Sequence, residues 1–445
     1  MSYVGRINYG LMDRYLLTAS LRYDGSSRLS EGNKWALFPS AAIAWRITEE
    51  DFAKNLDWLS NLKLRFSYGQ AGNTNSVSPY ASEGTISGSV YYPFGTSTSV
   101  GNLPANIANP MLTWERTSEY NVGLDFGFLN QRISGNIEYY NRTTNDLLMK
   151  RNIPVHLGYS SVTSNVGSVR NSGFELQLNT ANIMTKNFAW NTTINLAYNK
   201  NEIVSLADEE DLSNYSIHLQ GMRGRYSDKR FIGKPVDTNW TQNTIGVWQL
   251  GEEEEAAKYG CVPGNFKIKD YNNDGKLTDD DYIIDGKRTP DWTGGMTNMF
   301  KIYDFDFSFH MYFQAGATQY DRFFENFALE WNSQNFNNLR TNYWTPENPS
   351  NTMGRPSQMG SRGNIAYERT DFLKVSYITL GYTLNKRLMS KWGLDNARIY
   401  VTVQNPFILT KFRGLDPEQP DLTNIGDTDG MTMNCLLYTS PSPRD

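Results

Sequence analysis

The sequence predicts an all-β chain: a transmembrane antiparallel β-barrel of which about twelve strands are present. Three observations point there. Apolar and polar residues alternate with period two in run after run, which puts successive side chains on opposite faces of a strand. Many of these runs last about ten residues, longer than most soluble strands and suited to crossing a bilayer at a tilt. The connections alternate between short turns and long loops, as they do on the two sides of an outer-membrane barrel.

Composition agrees. Of 445 residues, 27 are Tyr, 22 Phe and 11 Trp, while only 39 % are hydrophobic; 36 Gly supply turns between strands. This mixture excludes long disordered or collagen-like chains. A formal charge of −5 gives no reason to expect nucleic acid. No run approaches the length of an apolar transmembrane helix. The start, Met1-Ser2-Tyr3-Val4-Gly5, has no signal-peptide pattern. Cys261 and Cys435 are too few for a disulfide framework or a cysteine-based zinc site.

The runs are expected in order near 3–12, 15–23, 38–47, 61–70, 120–128, 133–142, 172–180, 188–199, 290–302, 305–314, 370–385 and 397–408. In 188–199 the residues Phe188, Trp190, Thr192, Ile194, Leu196 and Tyr198 oppose Ala189, Asn191, Thr193, Asn195, Ala197 and Asn199. In 305–314 Phe305, Phe307, Phe309, Met311 and Phe313 oppose Asp306, Ser308, His310, Tyr312 and Gln314. The only helical candidate is the short stretch 49–59. Tight links fall at 13–14, 130–132, 185–186 and 303–304, with 48–60 and 386–396 in phase with them. The long connections are 71–112, 143–165, 202–289 and 317–368, with a shorter one near 24–36. A water-soluble sandwich or propeller also alternates, but a sandwich hides its apolar face and need not sort its loops by length.

Specific residues carry a family likeness. Leu37-Phe38-Pro39-Ser40-Ala41-Ala42-Ile43-Ala44-Trp45-Arg46, then Leu62-Lys63-Leu64-Arg65-Phe66-Ser67-Tyr68-Gly69, resemble the barrel of SusC/RagA-type TonB-dependent transporters. So do Trp114-Glu115-Arg116-Thr117 leading to Tyr120-Asn121-Val122-Gly123-Leu124-Asp125, and Asn165-Val166-Gly167-Ser168-Val169-Arg170-Asn171-Ser172-Gly173-Phe174-Glu175-Leu176. Gln404-Asn405-Pro406-Phe407 and Gly414-Leu415-Asp416-Pro417-Glu418 complete an ordered set running from about residue 3 to 420. The resemblance implies a large, plugged barrel of the 22-stranded type. It implies TonB-dependent import of oligosaccharides or peptides across the outer membrane of Bacteroidetes-type bacteria. It also implies a SusD-like surface lipoprotein as lid and energy from the TonB-ExbB-ExbD complex, and no enzymatic activity. Signal peptide, TonB box, plug, the first part of the barrel and the closing strand are absent from the residues given. The expectation is therefore that 1–434 is the C-terminal part of the barrel. Residues 435–445 (CLLYTSPSPRD) resemble a translated sequencing-library adapter rather than a protein terminus. A siderophore or vitamin receptor, and a carbohydrate-binding or adhesin β protein, are the alternatives.

One motif stands apart. Residues 270–281 follow the D-x-[DN]-x-[DN]-G pattern of Ca²⁺ loops. Asp270, Asn272 and Asp274 would offer side-chain oxygens, Lys276 its carbonyl, Thr278 a hydroxyl, and Asp281 the closing carboxylate. An Asp at the twelfth position is shorter than the Glu of an EF-hand, and no helix pair flanks the loop. The competing reading is a solvated acidic turn built on Asn-Asp-Gly chemistry. No catalytic set appears: His156, His218 and His310 lack ligand spacing, with His310 on a polar strand face. The run Glu252–Glu255 reads as a solvated stretch, and no carboxylate pair for glycan cleavage is nominated. Arg22, Lys63, Arg65, Asp125, Glu138, Glu175 and Gln177 are expected on the lumenal face. Tyr91, Tyr92, Trp240, Trp248, Tyr320, Trp331 and Trp344 are loop aromatics suited to sugar stacking, a lid, or packing within the loops.

Overall fold

A computed structural model describes residues 1–153, 159, 161–329, 341–356, 361–385, 389, 393–414 and 416–418. His156, Trp331 and the segment 435–445 lie outside the described residues. The chain forms two compact units, Met1–Glu209 with Phe231–Val236, and Glu210–Arg230 with Asp237–Asp445.

The first unit is an antiparallel meander. Its long strands are β1 (Ser2–Leu11), β2 (Tyr15–Gly25), β3 (Trp35–Arg46) and β4 (Leu59–Asn73), followed by a side hairpin of β5 (Thr85–Phe94) and β6 (Ser97–Asn106). The meander resumes with β7 (Glu115–Phe128) and β8 (Ile133–Asn145). A second hairpin, β9 (Leu148–Asn152) and β10 (Ser161–Asn165), precedes β11 (Ser168–Met184) and β12 (Phe188–Ser205). The sheet order is β1-β2-β3-β4-β7-β8-β11-β12, so every sheet neighbour is the next long strand along the chain. The second unit continues the pattern with Trp292–Ile302, Phe305–Ala315, Phe372–Thr383 and Arg398–Thr410 paired antiparallel in that order. All twelve expected strands are present.

The short links turn tightly because residues other than glycine take left-handed backbone there. Met12 and Asp13 (φ 53° each) reverse the chain between β1 and β2, and Leu129, Asn130 and Gln131 (φ 52°, 55° and 64°) do so between β7 and β8. The strands outrun the alternation: β11 and β12 have 17 and 18 residues. Their added ends are polar, as in Asn199, Lys200, Asn201 and Glu202. Backbone pairing continues past the point where one face must be apolar.

Register assembles the apolar face into rows. Leu64, Leu124, Ile137, Leu176 and Leu196 are direct neighbours across five strands. Toward the long loops the next row is Phe66, Val122, Tyr139, Phe174 and Tyr198, and beyond it Tyr68 pairs with Tyr120. Toward the short turns Trp58 stacks on Phe128, with ring centroids 5.8 Å apart. From Tyr120 to Phe128 the strand runs about 26 Å along its own axis, the reach of the roughly 9–11 residues with which a tilted strand crosses a bilayer. This face is bare: Ile7 is 71 % exposed, Ile43 54 % and Ile137 46 %. A sandwich would cover it, because an aliphatic row this long left in water invites association.

One expectation needs correction. The stretch 49–59 is not a helix: one 3-10 turn, Ile47–Glu49, is followed by turns. Glu50 is drawn away by side chains, accepting from Tyr15 (2.7 Å), Trp45 (3.0 Å) and Arg14 (2.9 Å). The long loops carry hairpins, short strands and packed cores, one built on Leu29, Phe38, Val77, Leu112 and Trp114, another on Val247, Phe266, Phe324, Trp344, Met353 and Ala366. Glu252–Glu255 is solvated as expected, with Glu253, Glu254 and Glu255 exposed. It opens the helix Glu253–Lys258, where carboxylates complement the N-terminal dipole, and Glu252 pairs with Lys267 at 2.8 Å. That helix buries Ala256 against Trp248 and Cys261. Cys261 is thus a core residue, and burial pushes its thiol pKa up.

Candidate functional site

The polar face of the first unit holds a charged network built from neighbouring strands. Lys63 on β4 lies directly opposite Asp125 on β7, and its ammonium reaches that carboxylate at 3.1 Å. Arg65 lies opposite Gly123, which in turn lies opposite Glu138 on β8. A Cβ on Gly123 would stand 3.0 Å from the Arg65 guanidinium, so glycine leaves the path across β7 open. Arg65 uses it, bonding Asp125 and Glu138 at 2.7 Å each. The Asn121 amide donates to the other Glu138 oxygen at 3.1 Å. Glu175 on β11 is directly opposite Glu138. Like charges opposed in a sheet repel, and the Arg65 bridge relieves half of that pair. Glu175 itself has no ion-pair partner among the described residues.

Toward the long loops Arg170–Glu202 (3.2 Å) and Lys200–Glu202 (2.7 Å) lie on the opposite face, beyond its Phe174–Tyr198 row, while the polar face carries Arg142–Glu119 (2.7 Å). A cleft of about 690 Å³ opens here, lined by residues that include Thr18, Ser40, Ser67, Gln70, Glu119 and Arg142. These groups are half-buried and mixed in sign. The arrangement suits a wet interior that holds polar surfaces, rather than a pore selecting one charge. In the second unit His310 lies on the polar face as expected, bonded to Thr297 at 2.8 Å and stacked on Tyr377.

The 270–281 loop is tightly wound. Asp270, 6 % exposed, accepts from the backbone N–H of Asn273 (2.6 Å) and Gly275 (3.0 Å) and from the Tyr259 hydroxyl (3.0 Å). Burial opposes ionisation of Asp270, but these bonds outweigh it and hold its carboxyl below the usual carboxylate range. Asp281 is fully buried and accepts from the N–H groups of Tyr271 (2.8 Å) and Thr278 (2.9 Å). Asn272 and Asp274 close smaller turns onto the N–H groups of Asp274 and Lys276. Gly275 has φ +78°, the left-handed turn the motif requires. Among the described residues no three His, Cys, Asp or Glu side chains converge as a ligand cluster. His218 packs edge-on against Tyr271.

A family model described as "TonB dependent receptor-like, beta-barrel" matches residues 2–405. The chain belongs to this TonB-dependent receptor family. TonB-dependent receptor SusC of Bacteroides thetaiotaomicron is 35 % identical over 430 residues, covering 94 % of this chain and 41 % of that protein. TonB-dependent receptor P26 of Formosa agariphila is 34 % identical over 425 residues, covering 94 % and 42 %. Among solved structures, the RagAB peptide transporter superposes with a TM-score of 0.76 at 25 % identity, covering 94 % of this chain and 45 % of that one. The chain therefore spans less than half the length of these relatives. The SusC/RagA likeness read from the motifs is upheld.

Within this receptor barrel the loop aromatics divide. Trp248 and Trp344 are buried, Trp240 stacks on Tyr282, and Tyr320 packs against Tyr367. Tyr91 and Tyr92 stand exposed on the β5–β6 hairpin. The sequence did not reveal Gly123 as the residue that lets Arg65 reach Glu138. The only signal for it was a glycine facing two charged neighbours across the sheet.

Proposed function

We propose that this chain is the wall of an energy-coupled, TonB-dependent outer-membrane importer of large nutrients, oligosaccharides or peptides, and that it catalyses no reaction. The observation that carries this is the pairing of faces: a bare aliphatic band between aromatic rows on one side, and a hydrated, charge-balanced surface on the other. The first belongs against lipid, the second around a movable plug and its cargo. The similarity to SusC and to the RagAB peptide transporter supports the substrate class. It also supports a SusD-like surface lipoprotein as partner and energisation by TonB-ExbB-ExbD through parts of the receptor outside this chain.

Uptake in the source bacterium tests the proposal. Loss of the full-length gene should abolish growth on one class of oligosaccharide or peptide, and a protonophore should stop the same uptake in the parent strain. Uptake of every such nutrient without the gene would overturn it. Growth rescued by iron alone would point instead to a siderophore receptor.

We further propose that the 270–281 loop holds a structural Ca²⁺ through Asp270, Asn272, Asp274, Thr278, Asp281 and the Lys276 carbonyl. The ligand spacing and the left-handed Gly275 support this. Both Asp281 oxygens keep an acceptor site beyond their bonds to N–H groups, whereas Asp270 Oδ2 is taken by Gly275 and Tyr259; the loop would tighten to bring Asp274 inward. The ion would stiffen a loop, not activate a substrate.

A further inference from the structure

We infer that the polar face of the second unit's four long strands is a binding track for the rings of a neutral oligosaccharide. The inference rests on the importer reading above and narrows its cargo to the first of the two classes named there.

Register fixes which residues share this face. Phe300, Phe307, Leu380 and Val401 are direct neighbours across Trp292–Ile302, Phe305–Ala315, Phe372–Thr383 and Arg398–Thr410, and they belong to the apolar side. The opposite side carries the row Thr297, His310, Tyr377 and Gln404. One step toward the short turns it carries Ser308, Thr379 and Thr402, and one step further Asp306, Gly381 and Tyr400. Toward the long loops it carries Tyr312 beside Lys374.

A bulge keeps the rings on one side. Met311 pairs with Val375 but His310 with Tyr377, so Ser376 is an extra residue; on the last strand Asn405 and Pro406 fill the same interval, between Gln404 and Phe407. Asn405 takes left-handed backbone (φ 46°), which asparagine tolerates, and Pro406, without an N–H, fits where the ladder is interrupted. The Gln404-Asn405-Pro406-Phe407 motif is therefore part of the bulge. Bulges re-aim side chains. Here Tyr377 shares a face with Lys374 and Tyr312, although strict alternation would divide positions 374 and 377.

Aromatic rings thus stand at three levels, over about 20 Å of strand from Tyr312 to Tyr400. Tyr400 is 61 % exposed, while Tyr312, His310 and Tyr377 are half-buried. They are held in place: His310 lies parallel to Tyr377 at 5.7 Å and bonds Thr297 at 2.8 Å, Phe372 backs Tyr312 at 5.8 Å, and Arg398 packs on one face of Tyr400. Charge is kept off the middle of the track. Lys374 at one end is paired with Glu418 and Asp306 at the other with Arg398 (2.9 Å), and the two rows between hold no Lys, Arg, Asp or Glu. Gln404 and the hydroxyls of Thr379 and Thr402 can donate and accept alike, which suits sugar hydroxyls, while the C–H faces of a sugar ring cover an aromatic ring. The charged termini and side chains of a peptide would find no opposite charge in these rows.

The test measures uptake by the source bacterium carrying the full-length receptor, with a panel of neutral glucans, fructans and mannans and a panel of peptides. Tyr400→Ala and Tyr377→Ala should each raise the half-saturation concentration for one oligosaccharide about three- to tenfold, the contribution of one aromatic contact. Tyr377→Phe keeps the ring and should stay within about twofold. Heat-modifiable migration on gels checks the barrel in each variant, and Tyr400→Ala, at the more exposed position, decides the matter if Tyr377→Ala does not fold. Unchanged half-saturation in Tyr400→Ala, a receptor whose loss abolishes only peptide uptake, or vancomycin sensitivity in place of a kinetic change (the mark of a loosened plug) would each overturn the assignment and leave the importer reading standing. A receptor whose deletion costs no uptake at all would overturn the importer reading itself, and the track with it.

Discussion

Ile137→Arg separates a lipid-facing strand from a water-facing one. Ile137 sits in the middle of the aliphatic row, directly opposite Leu124 and Leu176, and is 46 % exposed. If that exposure is to lipid, arginine there costs about 2–4 kcal/mol at the bilayer midplane, or about 30- to 900-fold in the folding equilibrium. If it is to water, a half-exposed substitution stays within about 0.5 kcal/mol. The internal control is one residue away. Asn136 points to the opposite face, beside Asp125 and Gln177, so Asn136→Arg meets water and a carboxylate and should change stability by less than about 1 kcal/mol. The assay is reversible guanidinium unfolding of the full-length receptor in phospholipid vesicles, followed by tryptophan fluorescence. The reasoning is refuted if Ile137→Arg costs no more than Asn136→Arg.

Asp321 offers a test outside the strands. It is 5 % exposed, one oxygen caps the Phe324 N–H at 2.9 Å, and burial pushes its carboxyl pKa up against the opposing Phe324 N–H and Arg413. The folded form then binds the proton more tightly than the unfolded one, so stability is lost as pH rises from the ordinary carboxylate value, about 3.9, through the raised one. Asp321→Asn keeps the cap and removes the charge. Amide exchange in 317–329 should be slower in the variant at neutral pH, and the difference should vanish in acid; faster exchange at neutral pH would show the charge to be useful. For the 270–281 loop, EGTA should raise proteolytic nicking within 260–285, and Asp274→Ala should remove the difference. Unchanged nicking would leave the loop as a turn held by Asp270 and Asp281 alone.

The strands were legible because a barrel between lipid and water imposes a local rule: each residue meets one solvent or the other, and the choice alternates. Segments such as Phe188–Ser205 and Phe305–Ala315 carry that rule in consecutive residues. The loops obey no such rule. Phe38 meets Trp114 edge-on at 5.5 Å across 76 positions of chain, and Trp344 donates to Gln249 across 95. Each partner looks like an ordinary loop residue in its own neighbourhood. The β5–β6 hairpin escaped for a related reason. It has no covered face to enforce alternation, Tyr91 and Tyr92 stand side by side, and Pro93 and Pro104 interrupt both strands.

The charged face shows where legibility ends and geometry begins. Composition placed Arg65, Asp125 and Glu138 on one side of the sheet, and alternation required as much. Which carboxylate Arg65 holds depends on register, and whether it can hold both depends on Gly123 lacking a side chain. A substituent at that position must displace the guanidinium or lose the Glu138 bond. Glu138 and Glu175 would then confront each other across β8 and β11 without relief. The network is thus a means of keeping two adjacent acidic residues on a polar wall at little cost in repulsion. Glu175 is left as the carboxylate still open to a cationic group, and a plug surface that packed here would be expected to bring one.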